Sequence, residues 1–84
     1  MDSKIKQTTS IQIGKNIRAI RKEKGIGQTE LVRLLQLQGI DMTRESLVKI
    51  ERGIQHIFAT QLKGIRDALE TTYDELLKES DENE

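Results

Sequence analysis

Arg44, Glu45 and Lys49 fall on one side of a short stretch, Thr43 to Gly53, whose other side carries Leu47 and Ile50. Because a helix turns about 100° per residue, this spacing parts an apolar strip from a strip of two cations and a carboxylate. One side wants a core and the other a polar partner, to which arginine and lysine offer donors and glutamate offers acceptors. Catalysis has little to work with: the chain holds one histidine, His56, no cysteine, and neither a phosphate-cradling glycine loop nor a metal-ligand spacing. No catalytic residue, metal site or cofactor is expected, and the chain is predicted not to be an enzyme. Asp74 and Glu75 stand at the front of the last helical segment, where its dipole accounts for them without acid–base work.

The elements that must present Arg44, Glu45 and Lys49 follow from caps and periodicity. Thr43 can act as N-cap of its helix, and Gly53 can supply the left-handed turn that ends it. A helix this short cannot stand alone. Ahead of it, Ile13, Ile17 and Ile20 predict a first helix from about Ser10, closed at Gly25 after the basic run Arg21-Lys22-Glu23-Lys24. Leu31, Leu34 and Leu35 predict a second over Gln28 to about Leu37, with Gly27 at its cap. Residues 38–42 break the pattern, giving a helix, a turn and a helix. Beyond Gly53, residues 54–58 have no helical register, and Ile57 and Phe58 are expected to pin them to the core. A fourth helix is predicted over Ala59 to Glu70, with Leu62, Ile65, Ala68 and Leu69 inward. Gly64 inside it costs about 1 kcal/mol relative to alanine, which close packing would explain. Thr72 can cap a last turn or two holding Tyr73, Leu76 and Leu77.

The predicted class is therefore all-α, a compact bundle of five short helices. Residues 1–9 read as a disordered arm, 10–78 as the helix-turn-helix domain and 79–84 as an acidic, disordered end. The chain's 84 residues make one domain with one small core. Proline, cysteine and tryptophan are absent and there is one Phe and one Tyr, so strand-forming aromatics are scarce. No apolar run approaches the ~18 residues of a membrane span, and the start, Met-Asp-Ser-Lys-Ile-Lys, lacks the apolar stretch of a signal peptide. A cytoplasmic protein without a membrane partner is expected. Formal net charge is zero, yet residues 1–58 hold 11 Lys+Arg against 6 Asp+Glu, and residues 59–84 hold 3 against 8. Such polarity fits a basic binding face with an acidic tail, or charges that merely solvate helices.

Four blocks now stand in order: Ile13-Gly14-x-x-Ile17-Arg18-x-Ile20-Arg21-Lys22-x-Lys24-Gly25-Ile26-x-Gln28-x-Glu30-Leu31, Ser46-Leu47-x-Lys49-Ile50-Glu51-Arg52-Gly53, Leu62-x-x-Ile65-x-x-Ala68-Leu69 and Asp74-Glu75-Leu76-Leu77. Over residues 11 to 77 the chain resembles the Cro and phage-repressor type helix-turn-helix family, also called the XRE family. The resemblance implies a lambda-repressor-like DNA-binding domain. It further implies a transcriptional regulator, commonly a repressor, that binds double-stranded DNA as a homodimer on a two-fold symmetric operator. It places Arg44, Glu45 and Lys49 at base-reading positions and Ser46 near backbone or base. It gives Gln28, at the start of the second helix, the task of bonding a phosphate and bracing the recognition helix. Arg21 and Glu51 match positions that form an ion pair between the first and third helices.

Base chemistry agrees independently: arginine and lysine match guanine O6 and N7, and glutamate can accept from a cytosine amino group. Glu45 is either such a reader or a residue that excludes wrong sequences. Thr43, Arg18, Arg52 and His56 are further candidates for the DNA backbone, with plain solvation the competing explanation for the last three. The chain departs from the family in a longer link between the second and third helices, in Val32 at a site usually given to alanine, and in Phe58 where a capping serine or threonine is common. Tyr73, Leu76 and Leu77 suit either a dimer surface or inward packing on the first helix. The alternative function is a protein-interaction module, an antitoxin or adaptor, built on the same domain.

Overall fold

Helical periodicity and glycine stops lay out the chain in the computed structural model, which describes residues 2–79, with side chains from residue 9 onward. Its elements are α1 (Asp2–Glu23), α2 (Gln28–Leu37), α3 (Arg44–Glu51), α4 (Ala59–Leu69) and α5 (Tyr73–Leu77), with no strand among the described residues. This is the expected all-α bundle of five helices. No helix among the described residues is long and apolar enough to cross a membrane. α1 packs on α3 and α5, while α2 packs on α3 and α4. One core joins Ile13, Ile17 and Ile20 of α1, Leu31, Val32 and Leu35 of α2, Leu47 and Ile50 of α3, Ile65 and Leu69 of α4, and Leu76 of α5.

Three helices end alike. At Gly25, Gly39 and Gly53 the backbone turns left-handed, with φ of 72°, 82° and 77°. Each is followed by an isoleucine whose N–H reaches back to a carbonyl of the preceding helix: Ile26 to Arg21, Ile40 to Leu35, Ile54 to Lys49. This is the Schellman arrangement, which satisfies carbonyls the helix leaves open and favours an apolar residue after the turn. Ile26 and Ile40 pack on the core as the motif prefers, whereas Ile54 is 65% exposed.

Two local expectations change. The backbone is helical from Asp2, ahead of the expected start at Ser10, since the sequence between them holds neither proline nor glycine to break it. Of the expected arm, Met1 and the side chains before residue 9 lie outside the described residues; so do residues 80–84 of the expected acidic end. Phe58 does not pin its loop: it is 69% exposed, and only Ile57 packs on the core. Phe58 is instead the N-cap of α4, in extended conformation. With no side-chain acceptor of its own, it leaves the task to Gln61, whose Oε1 accepts from the Phe58 N–H at 2.9 Å.

Gly64 has the predicted close neighbour, though it is the α2–α3 connection rather than a helix alone. A Cβ there would run into Ile40 Cδ1 and stand 3.0 Å from Leu35 Cδ2. The C-terminal end is fastened by a residue that helical periodicity leaves unremarked. Buried Asn16 donates through Nδ2 to the carbonyls of Leu76 and Lys78, both at 2.8 Å, and accepts from Gln12. α5 thus packs inward through fully buried Leu76, while Tyr73 and Leu77 remain partly exposed, at 38% and 46%.

Candidate nucleic-acid interface

The local sequence caps α3 at both ends. Thr43 Oγ1 accepts from the Ser46 N–H at 3.0 Å, and Arg52 and Gly53 close the other end, the Gly53 N–H reaching the Ile50 carbonyl at 3.0 Å. Leu47, Ile50 and Glu51 face inward and are buried. Arg44, Glu45 and Lys49 are exposed, and among the described residues none of them has a hydrogen-bond or ion-pair partner. Glu45 is therefore not neutralised by its neighbour Arg44, and the two cations and the carboxylate stand open to an outside partner.

The back of α3 is locked to α1. Arg21 Nε donates to Glu51 Oε2 at 2.7 Å and Nη2 to Oε1 at 2.9 Å, a bidentate pair with side chains 9% and 2% exposed. The guanidinium is completed by the Ile26 carbonyl at 3.0 Å, and Gln28 Nε2 donates to Glu51 Oε1 at 3.1 Å. A buried carboxylate is costly unless its lone pairs are filled, and here three donors fill them. Gln28 so braces α3 as expected, and the second N–H of its amide is left to donate to an outside acceptor.

One contact was hidden in the sequence. At Gly14 a Cβ would press on the Ile50 carbonyl and stand 2.7 Å from that of Glu51, so the backbone of α1 lies directly on the last turn of α3. Only glycine allows that approach. It is also what brings Arg21, two turns further along α1, within reach of Glu51.

The remaining candidates scatter around this core of contacts. Arg18 on α1 and Arg52 at the end of α3 are exposed and, among the described residues, unpaired. His56 is exposed too, with Nδ1 3.0 Å from Ser10 Oγ, which ties the α3–α4 loop to α1. Thr43 is exposed and Ser46 half-buried; the Thr43 oxygen serves its cap, and its O–H proton remains to donate. Elsewhere Arg66 donates to Asp67, and that hydrogen bond holds the carboxyl below its ordinary range. The same guanidinium lies 4.6 Å over the Tyr73 ring.

Comparison of the chain with family models, with curated proteins and with solved structures finds no match.

Proposed function

We propose that this chain binds double-stranded DNA in a sequence-specific way and regulates transcription, in the manner of the Cro and phage-repressor type domains it resembles, with α3 entering the major groove. The observation that carries this is the open row of Arg44, Glu45 and Lys49 on a helix whose other face is buried and whose two ends are capped. At 8 residues α3 is about 12 Å long, comparable with the width of the major groove. Arg44 and Lys49 supply the donors that guanine edges take, and Glu45 the acceptor for a cytosine amino group. Gln28, Thr43, Ser46, Arg18, Arg52 and His56 would meet phosphates around the groove, fixing register without reading sequence.

One helix of this length reads only a few base pairs, so the proposal includes a homodimer on a two-fold symmetric operator. The exposed Tyr73 and Leu77 beside anchored Leu76 offer it a surface. Repression is the simplest result of such occupancy. A cytoplasmic, non-catalytic protein completes the proposal.

Salt dependence tests it. Affinity for an operator-length duplex should fall by about 0.9 log units per log unit of salt for each phosphate neutralised. Lys49→Ala should relax sequence choice, and Arg18→Ala should weaken every duplex alike. The exposed Phe58, beside an open cleft of about 450 Å³ lined by Gly39, Ile40, Asp41, Thr60 and Gln61, favours a second reading as a protein-interaction module. That reading predicts a flat salt response and no preference among duplexes.

A further inference from the structure

We infer that the connection between α2 and α3 is a fixed strut, in which Gln36 and Ile40 are positioning residues that set the pitch of α3 and, through it, sequence selectivity. The selectivity half rests on the DNA-binding proposal above; the strut itself stands on geometry alone.

A surface connection of this length that contains a glycine would ordinarily let the helix after it wander. Here it is held along its length. Gly39 ends α2 with its N–H on the Gln36 carbonyl at 2.9 Å, and the Ile40 N–H returns to Leu35 at 3.0 Å. The Ile40 side chain fills the notch left open at Gly64 on α4. Gln38 Nε2 donates to the Gly64 carbonyl at 3.1 Å, a second tie to the same place. Met42 is 1% exposed and plugs the core. Finally, Gln36 Nε2 donates to the Met42 carbonyl at 3.0 Å. That carbonyl belongs to the residue immediately before the N-cap Thr43.

The Gln36 amide therefore holds the last peptide before α3 to the last turn of α2. Ile40 holds the middle of the connection to α4. Neither residue belongs to the outward row of α3, yet both act on the end of α3 that carries Arg44 and Glu45. Base readout depends on bidentate contacts with narrow geometric tolerance, so a small change of pitch should cost discrimination before it costs phosphate attraction.

The test uses the full chain with Gln36→Ala, in which an exposed amide is removed at little risk to folding, and Ile40→Ala. Each is measured against the duplex selected by the wild-type chain from a random pool and against a scrambled duplex of equal length at equal salt, below every variant's melting transition. Amide chemical shifts of the free proteins are recorded in parallel. For Gln36→Ala the ratio of selected to scrambled affinity should fall about tenfold, near the low end of what one base contact is worth, while scrambled affinity stays within about twofold. Amide shifts should move along residues 43–49 and hold still in α5. An unchanged ratio, or equal loss on both duplexes, overturns the role in selectivity. Unmoved shifts at residues 43–49 in both variants overturn the strut. If the wild-type chain prefers no duplex, the DNA-binding proposal falls with the role in selectivity, and the shifts still decide whether Gln36 and Ile40 set α3.

Discussion

The two ends of α3 are held by unlike means. At its back end a bidentate ion pair, a bracing glutamine and a backbone laid on backbone join Glu51 and Ile50 to α1. Its front end hangs on neutral contacts: an amide on the Met42 carbonyl, a buried Met42 and an Ile40 tip in a notch at Gly64. Charged groups out of water tolerate no missing partner, whereas neutral groups and flexible tips can adjust. The back end should therefore act as an anchor and the front end as the part in which pitch is set. The Gly–Ile stops show the same contrast. Ile40, after Gly39, is folded into the packing, while Ile54, after Gly53, is left outside.

The comparison breaks most severely at Glu51. Glu51→Ala strands the Arg21 guanidinium in a buried site, and chemical denaturation should show a loss of about 3–5 kcal/mol. Replacing both partners by apolar residues, Arg21→Met with Glu51→Leu, should return much of that loss, because the cost lies in the unpaired charge rather than in the absent bond. A double variant as unstable as the single one would mean that the pair contributes directly and that the anchor is misdescribed.

Glycine substitutions sharpen the contrast between the ends. At Gly14 the atoms a methyl group would strike are carbonyls of the α3 backbone, which cannot step aside without moving the helix. Gly14→Ala should cost about 1–3 kcal/mol. At Gly64 the nearest atom is the tip of Ile40, which can rotate away, and alanine gains about 1 kcal/mol of helix propensity. Gly64→Ala should be close to neutral in a melting experiment. Equal losses at the two sites would erase the distinction between an end held backbone to backbone and an end held by side chains.

A modest loss is expected at the cap. Thr43→Ala removes the acceptor for the Ser46 N–H and should cost about 1 kcal/mol by thermal unfolding. Since the front end also holds through Met42 and Gln36, the chain should remain folded.

The ion pair of the back end was expected only through the family resemblance, because Arg21, Glu51 and Gly53 sit inside its blocks; spacing alone does not set Arg21 against Glu51. The helices were legible from spacing itself. Isoleucines and leucines at three- and four-residue spacing, with glycine after them, leave few other solutions. The front end was not legible. A glutamine that donates to a carbonyl looks like any surface glutamine, and Met42 lies in a stretch with no periodicity to give it a face. Asn16 escaped for the same reason, its two carbonyl partners being 60 and 62 residues away along the chain. Phe58 was misread because apolar character alone does not give a direction where the backbone is irregular. The early start of α1 was missed because polar residues neither announce a helix nor stop one. In the candidate interface, the outward placement of Arg44, Glu45 and Lys49 was legible from spacing, whereas the lack of a pair between Arg44 and Glu45 was not.

Selection of bound duplexes from a random pool tests the central claim most directly, run with the wild-type chain beside a variant carrying Arg44→Ala and Lys49→Ala. The wild-type chain should enrich a two-fold symmetric sequence with half-sites about 10 base pairs apart or a multiple of it, and the variant should enrich none. A pool that returns from the wild-type chain without enrichment, or the same sequence recovered with both proteins, would contradict the assignment of α3 as the reading helix.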